Sequence, residues 1–198
     1  SNAEALTVAA TGQSVLWSTQ APPKDANMTL SNGDLTATRA SAVGVYSAVI
    51  GTVGKSTGKW YWEYLVGVGP TNPTAEMQIG MSLSTIQAGH YPGDGGVAGY
   101  SVRANFFGFV LQYPGGGLVN GTAINYTNGD TIGMAFDADA GTLDFYVNNT
   151  LVQSWTGVPA GTYYPCVGIY DGGAGLCSLS LATTLVYAPP SGYTGTGT

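Results

Sequence analysis

Thr131-Ile-Gly-Met-Ala-Phe-Asp137, Ala138-Asp-Ala-Gly141 and Thr142-Leu-Asp-Phe-Tyr-Val147 read in succession as strand, turn and strand. Asn148-Asn149 follows at once, a pair that suits the positive φ angles of a two-residue turn, and Thr150-Leu-Val-Gln-Ser-Trp155 then returns as a third strand. Two short hairpins in tandem require antiparallel pairing, because parallel neighbours need a long crossover. Upstream, Lys59-Trp-Tyr-Trp-Glu-Tyr-Leu-Val66 is apolar on both of its alternating faces, as expected of a central strand covered on two sides. Glu76-Met-Gln-Ile-Gly-Met81 points Met77, Ile79 and Met81 inward and Glu76 and Gln78 outward. Further strands are expected at 14–18, 28–38, 44–50, 98–103, 106–112, 163–170 and 175–187. Helix periodicity is nearly absent, and abundant Thr, Val and Tyr favour pleated, half-buried strands. About a dozen short strands with frequent turn signals give an all-β, two-sheet antiparallel sandwich.

The chain has 198 residues, enough for one core that needs no disulfide or metal staple. Ser1-Asn-Ala3 reads as the scar of a cleaved expression tag, residues 4–193 as a single domain and 194–198 as a flexible tail. Only 8% of residues are charged, while 44% are hydrophobic, which excludes disorder through charge. A net charge of −6 with five scattered basic residues offers no footprint for nucleic acid or an anionic membrane. Charge-free stretches such as 172–198 are rich in Gly, Pro, Thr and Ser, so no membrane insertion is expected. If the turn at 171–175 closes a hairpin, Cys166 and Cys177 lie about 10 Å out of register at strand rise, too far for a disulfide. Both therefore read as buried free thiols.

These segments carry a family likeness. Gly58-Lys-Trp-Tyr-Trp-Glu63, Ile79-Gly-Met-Ser82, Asn128-Gly-Asp-Thr-Ile-Gly133, Phe136-Asp-Ala-Asp-Ala-Gly-Thr-Leu-Asp-Phe-Tyr-Val-Asn148 and Tyr164-Pro165 resemble, in order, the SPRY (B30.2-like) domain family. The close Val186-Tyr-Ala-Pro-Pro-Ser-Gly-Tyr193 and the opening Met28-Thr-Leu-Ser-Asn-Gly-Asp-Leu35 are similar to SPRY-like proteins of bacteriophages and prophages. The resemblance implies a concanavalin-like sandwich that binds without catalysis and holds partners through loops at one end or edge. Asn149 stands where the family usually has Gly, and no peptide-binding set of the family matches position by position.

Few residues here suit catalysis or metal binding. Glu63 sits among Trp60, Tyr61, Trp62 and Tyr64, where desolvation suits a general acid, but a structural carboxylate accepting loop hydrogen bonds explains it more simply. A glycosidase also needs a second carboxylate nearby, and the alternation turns Glu76 away. Asp137, Asp139 and Asp144, with Asp130 close in sequence, suggest calcium. Asp-x-Asp-x-Gly before a strand is also ordinary hairpin chemistry, and that reading is preferred. His90 is the only histidine, and no nucleophile motif accompanies it. Neither a catalytic residue, nor a metal site, nor a cofactor is expected; Gly115–Gly117 lack the Lys and helix of a phosphate loop.

The stretch Ser84–Gly99 has the least strand character of any its length, and such loops are usually functional. His90, Tyr91, Asp94, Arg103 and Tyr113 are the expected ligand-binding side chains, an aromatic platform beside polar groups, with His90 and Tyr91 standing proud of the surface. The expected function is a non-catalytic module of a virion or extracellular surface, tail-associated, that recognises a host-surface glycan or protein, with a homo-oligomer within the virion as an assembly this setting allows. A glycan hydrolase on the same sandwich and a structural spacer are the alternatives.

Overall fold

The computed structural model describes residues 15–20, 24–39, 44–69, 75–86, 89–94, 99–105, 126–170 and 177–196. Among them lie twelve strands and no helix. They are β1 (Met28–Ser31), β2 (Thr36–Arg39), β3 (Tyr46–Ile50), β4 (Lys59–Val68), β5 (Glu76–Ser82) and β6 (Gly99–Asn105), followed by β7 (Thr131–Asp137), β8 (Thr142–Val147), β9 (Thr150–Thr156), β10 (Tyr164–Tyr170), β11 (Cys177–Leu181) and β12 (Thr194–Gly195). The large sheet runs β1-β2-β11-β4-β7-β8-β9, with β12 added against β4, and the small sheet runs β3-β10-β5-β6. Every pairing is antiparallel except β12 on β4.

The expected turns form for the expected reasons. Asp137 Oδ1 accepts the amides of Asp139 and Ala140 at 3.2 and 2.9 Å, and Gly141 takes φ +64°. Asn148 and Asn149 both adopt positive φ, 47° and 64°, the requirement of the two-residue turn between β8 and β9. The expected strand 28–38 is two strands, because Asn32, Gly33 and Asp34 all take positive φ and fold β1 back on β2. The segment 14–18 contributes only a bridge from Trp17 to Gly51, and 106–112 lies outside the described residues.

The core fills the space between the sheets. Trp62, Tyr64 and Val66 of β4 face Met77, Ile79 and Met81 of β5, all buried. Tyr64 ties the layers: its hydroxyl accepts from Trp62 Nε1 at 2.8 Å and donates to the Gly80 carbonyl at 2.6 Å. Gly80 is required there, since a Cβ would lie 1.8 Å from the Tyr100 carbonyl oxygen. Arg39 makes a second tie, its buried Nη1 donating to Ser47 Oγ and to the Ile169 carbonyl of the small sheet. Cys166 and Cys177 are buried thiols outside any disulfide, as expected. The hairpin expected between them does not form, because β10 belongs to the small sheet and β11 to the large one.

The outer face of β4 explains its second apolar side. Tyr61 and Glu63 are 1% exposed because residues 182–193, of which 182–187 were expected to continue a strand, leave the sheet after Leu181 and pass over them. Glu63 accepts the backbone amides of Val186 at 2.6 Å and Tyr187 at 3.0 Å, and the Tyr61 hydroxyl at 2.9 Å. The chain then re-enters the sheet as β12, with the Thr196 amide donating to the Tyr61 carbonyl at 2.8 Å. Thr194–Thr196 are thus paired with β4, which corrects the expectation that a flexible tail starts at 194.

Glu63→Gln should leave no hydrolytic activity to lose and should cost about 2–3 kcal/mol of stability, since a neutral amide weakens hydrogen bonds made to a charged group and opposes one of three donors. Urea denaturation of both proteins checks this.

Candidate functional site

Three strands and one loop meet on the outer face of the small sheet. Register places Tyr46 of β3 beside Tyr170 of β10, and Tyr170 beside Glu76 of β5. The Tyr46 and Tyr170 rings lie 5.2 Å apart, and the Tyr46 hydroxyl donates to Glu76 Oε2 and accepts from Gln78 Nε2 at 3.3 Å. Burial, followed by the bond to the Glu76 carboxylate, pushes the Tyr46 phenol far above its usual range. Over this row passes the segment Gly89–Asp94. Tyr91 sets its ring 4.3 Å from that of Tyr46 and its Cβ over Gly168, where a side chain of any other residue would collide at 2.6 Å. Ser101 Oγ lies 2.8 Å from the Pro92 carbonyl and 2.9 Å from Gln78 Oε1. The Asp94 amide closes a turn onto the Tyr91 carbonyl at 3.0 Å, which brings Asp94 Oδ2 within 2.7 Å of His90 Nδ1.

The structure therefore gathers His90, Tyr91 and Asp94 in one place. Arg103 lies on β6, paired with Gln78 in the next row, and Tyr113 lies outside the described residues. The expectation that His90 and Tyr91 stand proud is corrected for Tyr91, which is packed on Tyr46, while Pro92 and Gly93 beside it are buried. The physical reason is the small sheet's second face: Gln78 points outward as its alternation requires, yet it is fully buried, because this segment roofs it. Tyr46, Tyr170 and Glu76 were not readable as site residues. Nothing in their local sequence marks them, and they reach Tyr91 only through strand order.

Residues 59–180 match the SPRY domain family. The chain belongs to that family. SPRY domains generally act as protein interaction modules and are typically non-catalytic. Among solved structures, the SPRY domain of human HERC1 superposes with a TM-score of 0.65 at 18% identity, covering 87% of this chain and 99% of that one. The PSpry domain of TRIM65 gives 0.63 at 14% identity, covering 86% and 92%. No curated protein matches the chain.

The carboxylates of this SPRY domain that suggest chemistry are occupied by architecture. Glu63 is sealed under residues 182–193 with three donors on it, so it has no access to a substrate. Asp130 caps its own turn through the Thr127 amide at 2.6 Å and holds Asn148 Nδ2 at 2.7 Å. Asp137 adds Lys59 Nζ at 3.0 Å to its two turn amides. Among the described residues no three His, Cys, Asp or Glu gather as metal ligands.

Replacing residues 88–96 by a short Gly-Ser linker should lower the melting temperature by well over the few degrees an exposed loop allows, because it removes Tyr91 and Pro92 from the small sheet; calorimetry decides.

The Ala140 amide, ahead of the Lys59 ammonium, holds the Asp137 carboxyl below its usual range. A folded value below the unfolded one, about 3.9, stabilises the native state fully above that pH and is lost as the pH falls through the folded value. Asp137→Asn should therefore lower the melting temperature at neutral pH and flatten its fall between about pH 4 and 2, measured by circular dichroism.

Proposed function

We propose that this SPRY domain is a non-catalytic binding module of a virion, tail-associated, or of another extracellular surface, and that it holds a host-surface protein on the outer face of the small sheet. The observation that carries the placement is the packing of the Tyr91 and Tyr170 rings on Tyr46, at 4.3 and 5.2 Å, beside Glu76 and the His90–Asp94 pair, all of them half-buried. Half-buried tyrosines offer large contact area at little entropic cost. The partly exposed imidazole and carboxylate, 37% and 27% on their side chains, leave polar groups at the rim to orient a partner. The virion setting is supported by the phage-like close at Val186–Tyr193. A host-surface glycan is the second reading, since aromatic faces next to a carboxylate also suit sugar rings.

His90→Ala leaves the Tyr46–Tyr91 packing intact and should melt within a few degrees of wild type. Attachment of the labelled domain to host cells should fall at least about fivefold, the effect of losing one well-placed contact of about 1 kcal/mol. Protease treatment of the cells should abolish attachment if the receptor is a protein, whereas survival of attachment together with signals on a glycan array favours the sugar reading. Undiminished attachment by folded His90→Ala and Tyr91→Leu would move the site off this face.

A further inference from the structure

The outer face of the large sheet carries a second group of side chains that no role above absorbs. On β8, Thr142, Asp144 and Tyr146 point the same way, two residues apart. Across the ladder, Asp144 has Ala135 on one side and Ser154 on the other, while Tyr146 has Gly133 and Leu151. Small neighbours on both sides leave the Asp144 carboxylate in a shallow depression instead of beneath a packed layer. Tyr193, delivered by the return of the chain into β12, sets its ring beside Lys59, which shares a row with Asp137 and Thr142, and forms one wall; Tyr146, edge-on to Tyr61 at 6.4 Å, forms the other. The ring of Tyr193 already holds a cation on its face, Lys59 Nζ at 5.8 Å from the centroid. That lysine is committed to Asp137 at 3.0 Å. No hydrogen bond or ion pair engages Asp144 among the described residues, although it is half-buried on a rigid strand. Burial, then the Asp144 charge, raises the Tyr146 phenol, and burial, then the charges of Asp137 and Asp144, raises that of Tyr193.

We propose that this depression is a second docking site, which takes an arginine or lysine side chain of a protein partner between the Tyr146 and Tyr193 rings and onto the Asp144 carboxylate. Two aromatic walls and an unengaged carboxylate supply cation–π attraction and an ion pair to one group. The charge of the chain favours the same partner, with eleven acidic residues against five basic ones. Leu151, one of the three exposed large hydrophobic side chains among the described residues, is paired with Tyr146 and gives an apolar residue next to that cation a surface to cover.

The site is on the opposite sheet from the His90–Tyr91 face, so each is tested without the other. The probe is N-acetyl-arginine N-methylamide, titrated into the isotope-labelled full chain, with the leucine analogue as the uncharged control. Saturable amide shifts should appear at 142–146 and 193–194 with arginine and not with leucine, and should weaken as salt is raised. Asp144→Asn, whose side chain has no hydrogen bond or ion pair to lose among the described residues, should keep the wild-type melting temperature and weaken the arginine titration at least about threefold, the scale of one partly exposed ion pair. Tyr146→Leu should weaken it as well. Shifts that do not saturate, that are shared by leucine, or that persist unchanged in Asp144→Asn overturn the proposal.

Discussion

One carboxylate organises the large sheet. Glu63 lies at the point on β4 where β11 has ended and β12 has not begun, and the Ala182 amide donates to its carbonyl at 3.0 Å just before the chain departs. A buried backbone that leaves a sheet must find partners for its amides, and an ionised carboxylate, accepting several donors at once, is the strongest acceptor a side chain can offer. Glu63 takes two consecutive amides from a segment 123 and 124 residues away and the hydroxyl of Tyr61. Its burial is tolerated because those donors replace its hydration. The segment so held places Leu185 and Pro189 against Gly195 and seats β12. It also delivers Tyr193 to β8.

Both sheets are therefore covered twice, once by each other and once from outside. The inner layer is built from alternation alone, with Tyr64 and Arg39 as polar ties that fix how one sheet sits on the other. The outer layers are built from segments without regular structure, Gly89–Asp94 on the small sheet and residues 182–193 on the large one. Each depends on a sheet position kept small: Gly168 under Tyr91, and Gly133 under Tyr61, whose hydroxyl a Cβ would meet at 2.4 Å. A roof of this kind brings side chains to a rigid face rather than to a free loop, so partner-binding groups on it are held in place before any partner arrives.

The aromatic residues divide along the same line. Trp17, Trp62, Phe136, Phe145, Trp155 and Tyr163 are buried between the sheets, and the tilted and edge-on contacts among Phe136, Phe145, Tyr100, Trp155 and Tyr163 hold one end of the sandwich. The half-buried tyrosines of the described residues lie outside: Tyr46, Tyr91, Tyr164 and Tyr170 on one sheet, Tyr146, Tyr187 and Tyr193 on the other. A phenol tolerates that boundary because its ring packs while its hydroxyl stays wet or finds a partner.

The residues from 131 to 155 determined their own hairpins, because turn chemistry is local: Asp137 accepts amides two and three residues on, and Gly141, Asn148 and Asn149 take positive φ within their own turns. Alternation likewise fixed the inward face of β5, and the two apolar faces of β4 signalled a strand covered on both sides. What alternation leaves open is which strands are neighbours. Nothing local distinguishes a hairpin between β10 and β11 from a crossing between sheets, and the crossing is what places Cys166 and Cys177 in different layers. The same blindness hid the candidate sites. His90, Tyr91 and Asp94 were legible as a polar-aromatic cluster because they are close in sequence, whereas Tyr46, Tyr170 and Glu76 join them only through strand order, and Tyr193 joins Asp144 only through the clasp on Glu63. Sequence sets what each segment is able to bury; only the tertiary structure decides what buries it, because that depends on contacts between residues more than a hundred positions apart whose entropy of closure no local signal encodes.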